Sequence, residues 1–372
     1  MNEEVLKVLA VEDPAVLVYV DDKKNILKNF PGKVEIQVIP WASYYKTMQA
    51  VFAGEADYDI VMIAGHLWKR DIVEKGYLAD VTMDEEDILK TVIKEMNYKG
   101  ATYLSPSFCD GHMIVYRKSI IKELLGYELS DVIAPEEYIE IAKKLHDYGY
   151  KIAMKADKSE IFTDALPFLR MNGIDVYDAQ TGNVQCDRKE IIDGLEKYCE
   201  LRKFAFMDTE KYGNAEIVEK IQTKEAAMAV TWSGQLGVVF NEYCQDKEDL
   251  GVATFTTAWN VTWSFAISNS SKKKNLANEF LKYLRSKEVD QMAGSCSGAP
   301  IRTSSYLIGK ELYPWYRCQM HMIEHATGLP DLAQAGDKNG VLYEEIYEAF
   351  IGKKTAREAM KEAMIKIRRV EG

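Results

Sequence analysis

Short apolar runs alternate with longer stretches of helical periodicity along this chain. Residues 5–11, 34–39 and 59–63 have the composition of strands. The third is an almost continuous apolar run, which is expected of a strand buried on both faces of a parallel sheet. Between the runs, residues 16–29 and 44–53 predict helices. Strands that alternate with helices in this way predict an α/β architecture.

The same alternation continues to the C-terminus, so we expect one architecture throughout. The segment at residues 355–369 predicts a helix whose Thr355 and Glu358 match a capping box. Further strands are predicted at residues 113–116, 226–231 and 263–268, and further helices at residues 135–148, 191–202, 215–222 and 274–285.

Size and charge narrow the possible functions. A chain of 372 residues is long enough for two lobes, each with its own core. The net charge of -11 argues against a nucleic-acid partner and against docking on an anionic membrane surface, since both need a basic face. No window approaches the roughly 18 apolar residues of a membrane span.

The N-terminus and the cysteines bear on the compartment. Residues 1–4 are acidic and no apolar stretch follows, so we expect no signal peptide in this sequence. This predicts either a cytoplasmic protein or a mature domain that restarts at an added Met. The six cysteines are scattered without a CxxC pair, which predicts free, mostly buried thiols and leans toward a reducing environment.

Five sequence blocks in a fixed order resemble the bacterial ABC-transporter extracellular solute-binding proteins, the family that includes the maltose-binding protein. Residues 58–82 (YDIVMIAGHLWKRDIVEKGYLADVT) resemble its D-V/I-V strand, cleft loop and G-Y/L-L-x-D-L/V segment. The other blocks are residues 98–100 with 108–118 (YKG, then FCDGHMIVYRK), 224–230 (KEAAMAV), 265–284 (FAISNSSKKKNLANEFLKYL) and 298–302 (GAPIR).

The resemblance covers nearly the whole chain and implies a fold and a function. The fold is a two-lobed periplasmic-binding-protein type II fold, in which each lobe is a mostly parallel sheet flanked by helices. Lobe 1 would comprise residues 1–108 and 262–305, and lobe 2 residues 109–261 and 306–372. The function is reversible capture of a small solute, a mono- or oligosaccharide, in the interlobe cleft with hinge closure.

Departures from the family pattern affect the expected ligand more than the fold. Arg117 replaces the Asn of the family's Y-N-K strand, and Glu55-Ala56-Asp57 replaces its Pro-Asp entry. Trp232 stands where a small residue often follows the Met strand. A polyamine, a metal chelate or another non-sugar solute therefore stays an alternative, because Trp and Asp side chains also bind cations.

Sugars present apolar C–H faces and a rim of hydroxyls, which aromatic rings and charged or amide groups can bind. The positions that match cleft segments of the family fit this chemistry, with Trp232 and Asp110 as the favoured centre. The predicted ligand-binding residues are Trp41, Tyr44, His66, Trp68, Asp110, Trp232, Trp259, Trp263 and Arg302. Any one of the tryptophans could instead be a core filler.

A competing motif lies near the C-terminus. His321, Glu324 and His325 match H-x-x-E-H, the inverted zinc-protease motif, and Cys318 lies one turn earlier. A zinc hydrolase would need a further carboxylate ligand from a downstream helix, and little chain remains to supply one. A zinc hydrolase is therefore the remote alternative to a non-enzymatic binding protein.

The remaining expectations concern partners and location. We predict no catalytic residues, no metal site and no cofactor. The resemblance implies a sugar ligand and ABC permease subunits in the membrane as partners, and a monomer is expected. It also implies an extracytoplasmic location, periplasmic or lipid-anchored at the cell surface, while a cytoplasmic location stays open.

Overall fold

The structure is a computed structural model that describes residues 4–83 and 86–371. The acidic N-terminal residues 1–3 lie outside the described residues. Its strands, in chain order, are β1 (Val5–Val11), β2 (Lys33–Ile39), β3 (Ile60–Ala64), β4 (Leu78–Ala79), β5 (Asn97–Tyr98), β6 (Ala101–Thr102), β7 (Ser105–Arg117), β8 (Val132–Ile133), β9 (Ile152–Ala153), β10 (Met228–Trp232), β11 (Leu250–Phe255) and β12 (Asn260–Ser268).

The α-helices fall between these strands, as the alternating pattern predicts. In chain order they are α1 (Pro14–Val20), α2 (Ile26–Asn29), α3 (Trp41–Phe52), α4 (Gly65–Glu74), α5 (Lys90–Met96), α6 (Lys118–Leu125), α7 (Pro135–Asp147), α8 (Ile161–Leu169), α9 (Lys189–Glu200), α10 (Asn214–Gln222), α11 (Leu236–Val239), α12 (Lys274–Leu284), α13 (Lys287–Ser297), α14 (Thr303–Gly309), α15 (Tyr316–His325), α16 (Ala335–Phe350) and α17 (Ala356–Val370).

The chain divides into two compact units. Unit 1 comprises Met1–Asp110 and Val261–Tyr316, and unit 2 comprises Gly111–Asn260 and Arg317–Gly372. The chain passes from one unit to the other within β7, at the start of β12 and within α15. The third crossing lies eleven residues beyond the predicted bound at 305/306, because Trp315 donates from its indole N–H to the Gly298 carbonyl and so belongs to unit 1.

In unit 1 the sheet order is β2-β1-β3-β12. β1 pairs in parallel with both β2 and β3, whereas β12 runs antiparallel to β3 with Trp263 opposite Ala64. Every residue of β3 is buried, as the apolar run predicts. Because β2 and β3 are both parallel to β1, the segments that follow them leave the sheet at the same edge.

In unit 2, β10 and β11 each pair antiparallel with β7, while β9 runs parallel to β10. α8 is buried along its whole length and packs against α9 and α16. A fully apolar helix would be the ordinary occupant of such a position, yet α8 contains Asp164. The core of unit 2 therefore holds an ionisable group next to the sheet.

Two predicted elements differ from the structure. The helix predicted at residues 16–29 is broken into α1 and α2, since Asn25 has a left-handed φ of 56° and Asp21 accepts a hydrogen bond from the Lys23 amide in the intervening turn. The strand predicted at residues 113–116 is the end of the 13-residue β7, whose earlier part contains Pro106, Asp110 and Gly111. Those residue types disfavour strands, which hides the strand in the sequence.

The other predicted elements agree with the structure to within a few residues. The capping box before α17 is present, with Thr355 and Glu358 each bonded to the other's backbone. The six cysteines are free thiols.

Candidate functional site

Unit 1 gathers aromatic rings at the edge where β2 and β3 end. α3 begins at Trp41, two residues after β2, and α4 carries Trp68 four residues after β3. Trp263 lies opposite Ala64, the last residue of β3, so the antiparallel β12 brings its ring to the same edge. Three of the predicted ligand-binding residues thus meet because of the strand directions.

The rings are in direct contact. Trp41 stacks on Trp68 with centroids 5.6 Å apart and an interplanar angle of 24°, and it meets Trp263 edge-on at 5.7 Å. Trp68 is almost wholly buried, whereas Trp41 is 40% exposed. A buried ring that supports an exposed one makes an apolar platform on unit 1, which we call the unit 1 aromatic patch (Trp41, Tyr45, Trp68 and Trp263).

Tyr44 and Tyr45 face opposite ways on α3. Tyr44 is fully buried, and its hydroxyl donates to the Met62 carbonyl at 2.7 Å. Tyr45 is 50% exposed and lies 5.3 Å from the Trp68 ring. The sequence interpretation selected Tyr44, while the structure puts Tyr45 in the aromatic patch. Trp41 and Tyr45 at i and i+4 share one face of α3, but the helix predicted from residue 44 did not include Trp41.

Two other predicted residues of unit 1, His66 and Asp110, are largely buried. His66 is the second residue of α4, and burial lowers the pKa of its imidazole to about 4. It is therefore neutral near pH 7. Asp110 lies within β7 as the last residue of unit 1 and is 5% exposed.

The Arg302 guanidinium contacts two backbone carbonyls and one carboxylate of unit 1. Its Nε donates to the Arg285 carbonyl at 2.6 Å, and its Nη1 donates to the Glu86 carbonyl at 2.9 Å. The guanidinium also lies 3.7 Å from the Asp87 carboxylate. With Lys282 and other side chains it lines a cavity of about 210 Å³.

Unit 2 places Trp232 at the end of β10. The antiparallel register sets Trp232 directly opposite His112 of β7, and the two ring centroids are 4.2 Å apart. Trp259 meets Trp232 edge-on at 5.4 Å and is itself fully buried. Trp232 keeps part of its surface exposed. The two predicted tryptophans of unit 2 are therefore in contact, one as support and the other at the surface.

A hydrogen bond fixes the tautomer of His112. The Trp259 indole N–H, which can only donate, lies 3.0 Å from His112 Nδ1, so that nitrogen must accept. The proton of the neutral ring then sits on Nε2, which faces Asp164 Oδ1 at 3.7 Å. Burial, followed by the nearby Lys155 charge, holds the pKa of His112 well below its usual range. The pair is thus not an ion pair at neutral pH.

Asp164 is a buried carboxyl with an unusual proton affinity. Burial raises its pKa from the usual 3.8 to about 7, against the opposing effects of the Lys155 charge and of the Tyr198 hydroxyl, which donates to Oδ2 at 3.2 Å. Loss of hydration disfavours the carboxylate form.

Lys155 and Glu160 complete the surroundings of Trp232. The Trp232 indole N–H donates to Glu160 Oε2 at 3.3 Å. The Lys155 Nζ lies 3.8 Å from the same oxygen and 4.4 Å from the centroid of the Trp232 ring. We call these residues, His112, Lys155, Glu160, Asp164 and Trp232, the unit 2 polar cluster.

The sequence interpretation missed four of these five residues. Lys155 and Glu160 lie in a turn region between β9 and α8, where charged residues are ordinarily solvated. His112 was indicated by its position, because it lies on β7 directly after Gly111 and two residues after Asp110, which the sequence did select. Asp164 was also indicated, since a lone acid in the otherwise apolar helix IFTDALPFL needs a buried partner.

The H-x-x-E-H motif lies on α15. The His321 and His325 rings stack at 4.1 Å, and His325 Nδ1 lies 2.8 Å from the His321 carbonyl oxygen. Among residues 4–83 and 86–371, no group of three or more His, Cys, Asp or Glu side chains is arranged to hold a metal ion.

Solved structures show which fold this is. The chain is similar to maltose-bound MalE3 of T. maritima, with 20% identity, a TM-score of 0.87 and coverage of 98% of this chain and 99% of that one. It is also similar to an ABC-transporter solute-binding protein of Agrobacterium vitis S4 with bound D-mannitol (19% identity, TM-score 0.84, coverage 99% and 98%) and to one of Agrobacterium radiobacter K84 with ribitol (19% identity, TM-score 0.86, coverage 98% and 98%). The fold is thus that of a solute-binding protein, as predicted.

The sequence establishes the family. The model of the family described as bacterial extracellular solute-binding protein matches residues 24–291, and the chain belongs to this family. This confirms the resemblance in the five blocks. A search of curated sequences finds no match.

Family membership implies a periplasmic or cell-surface location. Within the part of the chain that the structure describes, no helix is both long and apolar enough to cross a membrane.

Proposed function

We propose that this protein reversibly binds a neutral sugar or polyol, as the substrate-binding component of an ABC importer. The observation that carries the proposal is the unit 1 aromatic patch, in which buried Trp68 supports the 40% exposed Trp41 ring. An exposed, supported aromatic face fits the C–H face of a sugar ring. The neighbours of the fold bind maltose, D-mannitol and ribitol, which supports the same ligand class here.

The unit 2 polar cluster also offers groups that suit a sugar or polyol. Trp232 offers a partly exposed ring, and Glu160 beside it offers a carboxylate that can accept hydrogen bonds from hydroxyls. Trp232 and Glu160 thus supply the two kinds of group that a sugar or polyol requires.

The charges near Trp232 have opposite signs. The Lys155 ammonium lies 4.4 Å from the Trp232 ring centroid, and the Glu160 carboxylate accepts a hydrogen bond from the indole N–H. These charges do not select a neutral ligand over a polyamine, so the preference for a sugar or polyol rests on the unit 1 aromatic patch and on the ligands of the fold's neighbours.

The partners and the mode of binding follow from the family. We propose that the ligand-bound protein docks on permease subunits in the membrane, that it is a monomer with a lipid anchor or a periplasmic location, and that it catalyses no reaction. The two compact units would be the two lobes, and hinge closure around the ligand stays a prediction. Micromolar affinity, about 8 kcal/mol, would suffice for capture.

A thermal-shift and calorimetric panel tests the ligand class. Maltose, D-mannitol, ribitol and D-tagatose would be compared with spermidine and with a zinc salt. A rise in melting temperature with one or more saccharides or polyols, together with a measurable Kd, is the expected result. A shift with spermidine or zinc alone would overturn the sugar assignment and leave the fold unchanged.

A further inference from the structure

Lys155 is a buried cation at the centre of the unit 2 polar cluster. The side chain follows β9 and is fully buried. Within the described residues its Nζ has no hydrogen-bond partner. A buried charge is costly unless another group compensates it, and salt bridges without hydrogen bonds compensate it only in part. Its place next to Trp232 and Glu160 therefore calls for a functional reason.

The ammonium contacts both members of a hydrogen-bonded pair. Trp232 donates to Glu160 Oε2, and Lys155 Nζ lies 3.8 Å from that oxygen and 4.4 Å from the ring centroid. Trp232 is partly exposed and the Glu160 side chain is 23% exposed, while Lys155 is not exposed at all. Lys155 thus lies behind the two groups that can meet a ligand.

We propose that Lys155 is a positioning residue, which holds the Trp232 ring and the Glu160 carboxylate in the mutual orientation that binds the ligand. The inference rests on the proposed sugar or polyol function, but Lys155 itself does not touch the ligand. A single positive charge attracts the ring face and the carboxylate toward one point. An apolar side chain of the same length would fill the space but would attract neither group.

The neighbouring contacts predict which group moves when Lys155 is replaced. The Trp232 ring keeps its contacts with His112 at 4.2 Å and with Trp259 at 5.4 Å. Among the described residues, the Glu160 carboxylate keeps only the 3.3 Å hydrogen bond from the Trp232 indole, and its partial exposure lets it turn toward water. We therefore expect the carboxylate to lose its position first and the ring environment to change as a result.

A measurement without ligand tests the positioning directly. Protein labelled with 5-fluorotryptophan contains six tryptophans, and the ¹⁹F resonance that disappears in Trp232→Phe belongs to Trp232. In Lys155→Met we expect this resonance to shift or broaden, while the resonances of Trp41 and Trp68 stay unchanged. The control is Lys338→Met, which removes another buried lysine of unit 2 that pairs with Glu371 at 2.8 Å. It should leave the Trp232 resonance in place.

A second variant covers the case in which Lys155→Met does not fold. Glu160→Gln keeps an acceptor for the Trp232 indole but removes the charge that Lys155 attracts, so the Trp232 resonance should move in the same way. A Trp232 resonance with wild-type shift and width in folded Lys155→Met, or in Glu160→Gln where Lys155→Met is unfolded, would overturn the inference.

Binding measurements then test the consequence for the ligand. Calorimetric titration with maltose, D-mannitol, ribitol and D-tagatose, each separately, should show at least a tenfold weaker Kd in Lys155→Met for each probe that binds the wild type. Lys155→Arg should recover part of the loss, since the charge returns, and Lys338→Met should bind as the wild type does. A Kd within twofold of the wild type in Lys155→Met would reject the positioning role. If no probe binds the wild type, the proposed function fails, and the ¹⁹F measurement alone decides the role of Lys155.

Discussion

His112 and Trp232 are directly opposed on the antiparallel strands β7 and β10, and their ring centroids are 4.2 Å apart. Cross-strand neighbours of this kind pack side by side on one face of a sheet. The opposed pair explains how a bulky ring at the end of a short strand is held without being buried. Trp259 adds to this support, because its indole N–H fixes the imidazole that lies against Trp232.

Replacement of Trp41 should weaken ligand binding with little effect on stability. The ring is 40% exposed, so Trp41→Ala removes a ligand platform more than a piece of the core. A central aromatic contact is commonly worth about 2 kcal/mol, which corresponds to a roughly 30-fold weaker Kd. Titration calorimetry with the saccharide or polyol that shifts the melting temperature would measure the change.

The matched control for Trp41 is Trp315→Phe. Trp315 is 3% exposed and donates to the Gly298 carbonyl, so its replacement should lower the melting temperature and leave the Kd unchanged. Equal affinity losses in both variants would mean that the unit 1 aromatic patch has no special part in binding.

Tyr44→Phe should destabilise the protein and leave ligand affinity unchanged. The Tyr44 hydroxyl donates to the Met62 carbonyl and accepts from the Met62 amide, each at 2.7 Å, inside the core of unit 1. Loss of the hydroxyl removes both of these hydrogen bonds to buried backbone groups, which costs about 1–3 kcal/mol. Urea unfolding would show the loss. A weaker Kd at unchanged stability would instead return Tyr44 to the ligand-binding residues.

The unit 1 aromatic patch was largely predictable because local rules decide it. Trp41 and Trp68 follow two strands that are both parallel to β1, and such segments meet at one edge of the sheet. The choice between Tyr44 and Tyr45 needed the phase of the helix as well. That phase depends on where α3 begins, and the first turn at Trp41 was not visible in the apolar pattern.

The unit 2 polar cluster was much less predictable. Lys155, Glu160 and Asp164 come from a turn and from a buried helix, and only the packing of α8 against its neighbours brings them near Trp232. No local pattern fixes such long-range contacts. A charged residue in a turn ordinarily faces water, so the sequence alone favours the opposite of what the structure shows for Lys155.

Arg302→Lys tests whether that residue is structural. Its guanidinium donates to the carbonyls of Arg285 and Glu86 from two different nitrogens, a geometry that a single ammonium cannot reproduce. We expect a stability loss of about 1–3 kcal/mol in urea unfolding, with unchanged ligand affinity. A large loss of affinity at wild-type stability would support the ligand contact that the sequence predicts for Arg302.

Asp164→Asn should stabilise the protein at neutral pH, by an amount that depends on pH. The folded-state pKa of Asp164, about 7, lies above the usual 3.8 because the carboxyl is buried. Below about pH 4 the group is protonated in both states and imposes no penalty. As the pH rises from about 4 to about 7, the unfolded carboxyl ionises while the folded one keeps its proton, so the free energy of unfolding falls. Above about pH 7 the carboxyl is ionised in both states, so the free energy of unfolding falls no further on account of Asp164.

The side-chain amide introduced by Asp164→Asn cannot ionise, yet its oxygen still offers an acceptor for the Tyr198 hydroxyl or for the His112 Nε2–H. A pKa raised by one unit corresponds to about 1.4 kcal/mol, so the advantage of the variant over the wild type should grow by several kcal/mol between about pH 4 and 7 and then level off. Urea unfolding at a series of pH values across this range would measure it, with Asp147→Asn on the exposed end of α7 as the matched control. A difference between Asp164→Asn and wild type that does not change with pH would show that the folded carboxyl ionises as an ordinary aspartate does. The charge next to Lys155 would then be a full carboxylate at all physiological pH values.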